Sequence, residues 1–147
     1  MPPKVKKTIQ TLHVPNWIKN SHPQIKASFI RALFDDECWI ETNQGGFCIG
    51  FAQNKRKDLI KFHRIFMEEI KSLLKEFDIS TTKTFKRSSK NSSVQLGFKI
   101  IGLDNFIKFN SQIGFSSKEK RKKLKFIMNH FKQIQFKKKE AKFKILE

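Results

Sequence analysis

The chain switches between two hydrophobic periods. Ile25, Phe29 and Leu33 recur at i, i+4 and i+8, a helical stripe. Ser21 as N-cap, Pro23 in the first turn and Gln24 as the reciprocal capping partner predict a helix over residues 22–34. Trp39, Glu41 and Asn43 then alternate with Cys38, Ile40 and Thr42, which is a strand. Gln44-Gly45-Gly46 turns the chain into a second strand, where Phe47, Ile49 and Phe51 alternate with Cys48, Gly50 and Ala52. From Asp58 to Glu76, Leu59, Phe62, Phe66, Met67, Ile70, Leu73 and Leu74 share one helical stripe opposite Lys61, Arg64, Glu68, Lys71 and Lys75.

The pattern then repeats. Residues 81–87 are strand-prone, 88–92 form a turn, and Val94, Leu96, Phe98 and Ile100 alternate with polar or small positions, a second hairpin. Leu103, Phe106, Ile107 and Ile113 predict a helix ended by Gly114. Ser116 with Glu119 offers a capping box for another helix carrying Leu124, Ile127, Met128, Phe131 and Ile134. The order helix, hairpin, helix, hairpin, helix, helix implies one α+β domain over residues 13–135. A basic arm over residues 1–12 precedes it, with Trp17 packed in the lead-in, and a basic frayed helix or tail over residues 136–147 follows.

Composition adds a partner. The 147 residues hold 31 Lys and Arg against 13 Asp and Glu, a net charge of +18 and a pI near 10.1, the range of nucleic-acid binders. From Phe115 to Glu147 twelve Lys or Arg face three acids, half of the whole excess. Charge this unbalanced repels itself unless a polyanion neutralises it. The two cysteines, Cys38 and Cys48, have neither disulfide-framework nor zinc spacing and point to an intracellular, reducing compartment. No apolar run reaches membrane-spanning length, so no membrane partner is expected.

Against this background three consecutive acids, Asp35, Asp36 and Glu37, stand out. Packed carboxylates repel one another and are most easily tolerated beside a cation or strong donors. Ser28 and Ala32, four apart on the helix that delivers them, let a second helix approach closely. His63 borders an apolar stripe with no second ligand spaced to help it, and reads as a packed histidine rather than a metal ligand.

The segment Ile30 to Cys38, Ile-Arg-Ala-Leu-Phe-Asp-Asp-Glu-Cys, resembles the motif of the LAGLIDADG homing endonucleases. Ala52-Gln53-Asn54-Lys55, Leu103-Asp104-Asn105-Phe106, Ile113-Gly114-Phe115 and the run Lys118 to Leu124 follow in the matching order, and the likeness spans residues 13–131. It implies an αββαββα fold, with an antiparallel sheet saddle backed by helices. It also implies a site-specific double-stranded DNA endonuclease of intron or intein mobility, acting as a homodimer because only one motif occurs. Glu37 matches the metal-holding acid, with Mg2+ as the divalent cofactor. Gln53 matches the polar residue that arranges water, and Lys118 or its rival Lys120 the lysine near the scissile phosphate. Ser28, Phe29, Ala32 and Asp35 match the dimer interface. Glycines preferred by the family at two motif positions are replaced by Ala32 and Cys38.

With the apolar strand faces under the helices, the other faces line a groove. Trp39, Glu41, Asn43, Gln44, Thr82, Thr84, Lys86, Gln95 and Lys99 are the base-facing candidates there. Arg56, Lys57, Arg87 and Lys90 are candidate phosphate contacts. Two other readings stay open: a non-cleaving DNA- or RNA-binding maturase or regulator on the same scaffold, and an unrelated basic RNA-binding protein.

Overall fold

The computed structural model of the protein describes residues 12–88 and 92–146. A short helix, α1 (Asn16–Lys19), leads into α2 (Pro23–Glu37). The hairpin β1 (Cys38–Glu41) and β2 (Cys48–Arg56) follows, then a single 3-10 turn and α3 (Ile60–Glu76). A second hairpin, β3 (Phe85–Ser88) and β4 (Ser93–Ile100), precedes α4 (Leu103–Gln112) and α5 (Lys118–Leu146). The four strands form one antiparallel sheet in the order β1-β2-β4-β3. This is the expected α+β, αββαββα arrangement, extended by one helix at each end.

Strand alternation assigns the two faces. In register, Ile40, Ile49 and Ile100 form one row and Cys38, Phe51 and Phe98 the next. Apart from the half-buried Cys38, these side chains are buried on the helix side. Phe34 of α2 stacks on Phe51 with centroids 4.9 Å apart and lies 5.3 Å from Phe109 of α4. Burying a side chain of this size contributes about 2–3 kcal/mol, so one aromatic cluster ties α2 and α4 to the sheet.

Several expected details differ. Trp17 is 67% exposed while its neighbour Ile18 is buried, because the single turn of α1 presents the aliphatic residue to α2 and the core. Ser21 does not cap α2: its hydroxyl donates to the Ile18 carbonyl at 2.6 Å, and His22 occupies the N-cap without a side-chain bond. The stripe Ile25, Phe29 and Leu33 is not the centre of the core face either: Phe29 and Leu33 are half-buried and pack against its edge. Ala27, Ile30 and Phe34 are buried, and Ile25 is 43% exposed. The helix also runs on through all three acids to Glu37.

The later elements shift similarly. Phe47 precedes β2 and sets its ring against His130 of α5, with centroids 5.6 Å apart. β2 continues to Arg56 through Asn54 and Lys55, since β4 supplies a partner along its length. β3 covers only four residues. Thr82 instead exchanges two backbone-level bonds with Lys99: its amide donates to the Lys99 carbonyl, and its hydroxyl accepts from the Lys99 amide, each at 2.9 Å. Ser117, rather than Ser116, caps α5 by accepting from the Lys120 amide at 3.3 Å. α5 does not end near residue 135 but continues as helix to Leu146. Residues 1–11 of the expected arm lie outside the described residues. No helix among the described residues is long and apolar enough to cross a membrane.

Candidate functional site

The acidic end of α2 is built by two helices acting on each other. Asp35 accepts from the backbone amides of Ser116 at 3.0 Å and Ser117 at 3.4 Å, the orphan donors ahead of α5. In return Lys120, in the first turn of α5, donates to the carbonyls of Phe34 at 3.1 Å and Asp35 at 2.5 Å in the last turn of α2, where Phe34 also accepts from the Cys38 amide. One turn earlier Arg31 donates to the Ile113 carbonyl at 2.7 Å. Each helix thus supplies the charge that the other's terminus lacks.

Glu37 is the last residue of α2 and half-buried, one position before Cys38. Cys38 pairs with Phe51, and Gln53 lies two residues beyond Phe51 at the same end of the sheet. Gln53 is buried on the helix side, and its Oε1 has no hydrogen-bond partner. Lys118 opens α5 and is exposed, whereas Lys120 is the lysine that reaches α2. Cys38 has an extended backbone (φ −100°, ψ 160°) that any residue adopts, and it packs against the core. Burial pushes its thiol up to about 12, opposed by the Lys120 ammonium and reinforced by Asp35 and Cys48. Among the described residues no group of three or more His, Cys, Asp or Glu gathers to hold a metal within one chain. Glu37 supplies a carboxylate, the donor type a hard cation takes, while the unpartnered Gln53 Oε1 is buried beneath the surface.

The sheet face away from the helices is the candidate groove. Trp39, Gly50 and Lys99 form one row, and Ala52, Gly97 and Phe85 the next. Asn54, Gln95 and Arg87 form a third, followed by Arg56 and Ser93. Rings cover both glycines: a Cβ on Gly50 would lie 2.2 Å from Trp39, and one on Gly97 2.6 Å from Phe85. Glu41 shares this face, its carboxylate accepting from the Asn43 amide at 2.9 Å where the chain enters the turn containing Gln44.

Two expected groove residues are elsewhere. Lys86 pairs with Leu96 and so belongs to the helix side of its strand. Thr84 donates to Glu68 at 2.9 Å and accepts from Lys71 at 3.3 Å, both on α3. Because β3 begins at Phe85, the alternation counted from Thr82 is one residue out of step. Arg56 pairs with Asp58 at 2.9 Å, and Lys57 begins the 3-10 turn. Lys90 lies outside the described residues. Asn54 and Phe85 were missed as groove residues. Continuing the alternation of β2 past Ala52 finds Asn54, but the run Asn-Lys-Arg-Lys-Asp also reads as a turn. Lys55 and His63 are buried where β2 meets α3, and burial, then Lys55 and Arg64, push His63 down to about 4.

Residues 24–114, more than half of the chain, match the family described as LAGLIDADG-like domain. The chain belongs to the LAGLIDADG family, nucleic-acid-binding proteins that include homing endonucleases and related maturases. It is 30% identical over 122 residues to a tRNA-splicing ligase RtcB of Methanopyrus kandleri, covering 82% of this chain and 12% of that protein. It is 28% identical over 123 residues to a glutamine–fructose-6-phosphate aminotransferase of Methanocaldococcus jannaschii, covering 83% of this chain and 10% of that protein. The chain therefore spans only about an eighth to a tenth of the curated relatives it matches. No solved structure matches.

Proposed function

We propose that the protein is a site-specific, double-stranded DNA endonuclease that acts as a homodimer inside the cell. The observation that carries this reading is the reciprocal tie between α2 and α5. It gives Asp35 a structural role at the helix end, and Glu37, the acid at the motif's metal-holding position, is the last residue of the same helix. The solvent face of the same helix carries Ile25, Ser28 and Ala32, with the half-buried Phe29 at its edge. A second copy packed on that face brings a second Glu37 to a shared axis, one acid for each strand cut.

Glu37 is the proposed donor to Mg2+, which when bound would polarise the phosphoryl oxygens and lower the pKa of a water. Gln53 orients that water. Lys120 or Lys118 offsets charge developing on the phosphate. The open sheet face, with Trp39, Asn54, Gln95, Arg87 and Lys99, takes the duplex. The matches support a mobile unit, because the same stretch recurs as a small part of proteins whose names share no chemistry.

Selection of cut ends from a random duplex pool, with magnesium and with chelator, tests this. Glu37→Gln should lower cutting on the order of a thousandfold or more while binding persists. The alternative, a non-cleaving maturase or regulator that takes DNA or RNA, is favoured by Cys38 standing where the family prefers glycine. It predicts tight, salt-sensitive binding, no metal-dependent cutting and no effect of Glu37→Gln. The ordinary backbone at Cys38 removes strain as an argument for it.

A further inference from the structure

Asn54, Gln95 and Arg87 stand directly opposite one another across β2, β4 and β3 on the open face. Neighbours in such a row are about 5 Å apart, so three planar polar heads share one line across the groove. Arg87 is set apart from the lysines of this face by what lies beneath it. Its guanidinium carbon is 4.9 Å from the centroid of the Phe85 ring. That ring is seated in turn: its Cζ would meet a Cβ on Gly97 at 2.6 Å, so it fills the space the missing side chain leaves.

A guanidinium stacked on a seated ring has given up rotamer freedom before any ligand arrives, and Arg87 remains exposed to solvent. Preorganisation of this kind adds little to a phosphate contact, which mobile lysines satisfy as point charges. It matters where two donors must meet two acceptors in one plane. Guanine presents that pair, O6 and N7, in the major groove. Gln95 and Asn54 alongside each carry a donor NH2 and an acceptor carbonyl side by side, the pattern that adenine N7 and N6 match. Arg87 therefore differs in kind from Arg56, which is bound to Asp58 near the rim.

We propose that Arg87, held in place by Phe85, reads a guanine in the duplex, and that Gln95 and Asn54 read bases next to it. The inference rests on the protein binding double-stranded DNA, and it assigns Arg87 to sequence readout rather than to the phosphate contact expected of it.

The experiment enriches bound duplexes from a random pool using the full chain and its Arg87→Lys, Arg87→Ala, Phe85→Leu and Asn54→Ala variants. Binding of the wild-type site is then followed against salt. Wild type should enrich one site with an invariant guanine in each half. Arg87→Lys keeps the charge but loses the fork, so that position alone should relax, with affinity falling about tenfold to a hundredfold and the salt slope unchanged. Phe85→Leu should weaken the same guanine preference, and Asn54→Ala should relax a neighbouring position. An Arg87→Lys protein that enriches the wild-type site with the guanine intact overturns the assignment. So does an Arg87→Ala protein that weakens uniformly across sequences with the salt slope reduced by about one, the mark of a phosphate contact. A wild-type protein that enriches no duplex at all overturns the DNA-binding reading itself, and this inference with it.

Discussion

The ammonium of Lys120 caps the carbonyl of Phe34 at 3.1 Å, although 86 residues separate the two in sequence. The same ammonium meets the carbonyl of Asp35, whose carboxylate bonds back to the amides leading into α5. These are charge-assisted bonds to helix termini, the lysine bonds partly sheltered from water and the Asp35–Ser116 bond exposed, and the junction is worth about 1–3 kcal/mol. Asp35→Ala and Lys120→Met should each lower the unfolding free energy by about that amount in urea titrations. The double variant should depart from additivity by about 0.5 kcal/mol or more, since both act on one junction. Lys118→Met, on the exposed start of α5, should change stability by less than about 0.5 kcal/mol. Singles at Asp35 and Lys120 that behave like Lys118→Met would remove the mutual cap from the account.

The two sheet glycines should respond differently to a methyl group. At Gly97 an added Cβ would lie 2.5 Å from the Phe51 carbonyl oxygen and 2.7 Å from the Ala52 Cβ, so backbone must move. At Gly50 the close contacts, from 2.2 Å, are all to the Trp39 ring, which can swing outward. Gly97→Ala should therefore cost about 1–3 kcal/mol, the range for overpacking a filled site. Gly50→Ala should cost less and should shift Trp39 emission as the indole moves into solvent. Adding Trp39→Leu should recover most of the Gly50→Ala loss and none of the Gly97→Ala loss. Equal costs at the two glycines, or rescue at both, would contradict this geometry.

How far the sequence carries the fold is visible in the same elements. Period and turn residues locate both hairpins and the long helices, because burial on one face leaves its period in the residue types. The likeness to the motif groups Glu37, Gln53 and the Lys118 to Lys120 run as site candidates, a grouping that no local pattern offers. What does not show is face. Ile25, Phe29 and Leu33 look like a core stripe, yet the buried face is Ala27, Ile30 and Phe34, because both sides of α2 carry apolar residues. The face of β3 is hidden too: its polar residues lack alternation, and only pairing with β4 shows that Arg87 is on the groove side and Lys86 is not. The tie among Arg31, Asp35 and Lys120 is likewise a tertiary fact with no local signature.

His63 makes the protein's stability depend on pH. The ring is buried, neither nitrogen has a hydrogen-bond partner, and its folded pKa is pushed down to about 4 from 6.5 by burial and by Lys55 and Arg64. Between those values the unfolded chain binds the proton and the folded chain does not, so stability rises with pH across that window. The contribution is fully present above about pH 6.5 and is lost as pH falls toward 4, up to about 3 kcal/mol in all. His63→Leu, near in volume and uncharged, should flatten that part of a stability-against-pH curve. A curve with the same slope for both proteins would place the titrating group elsewhere.

The solvent face of α2 gives the test of assembly. Ser28 and Ala32 are exposed and small, and the exposed Ile25 and half-buried Phe29 flank them with apolar surface. The Ser28 hydroxyl donates to the Gln24 carbonyl one turn back at 3.0 Å, so a partner helix can lie close without stranding a polar group. Ala32→Arg puts a long cation in the middle of that face while leaving the buried row Ala27, Ile30 and Phe34 untouched. By sedimentation the wild type should be a dimer and Ala32→Arg a monomer with unchanged circular dichroism. If Glu37 from two copies must meet, the monomer should fail to cut both strands although each chain keeps its acid. A wild type that sediments as a monomer, or an Ala32→Arg protein that remains dimeric, means that copies do not meet through α2. The acid of a second chain would then have to reach the site by another face.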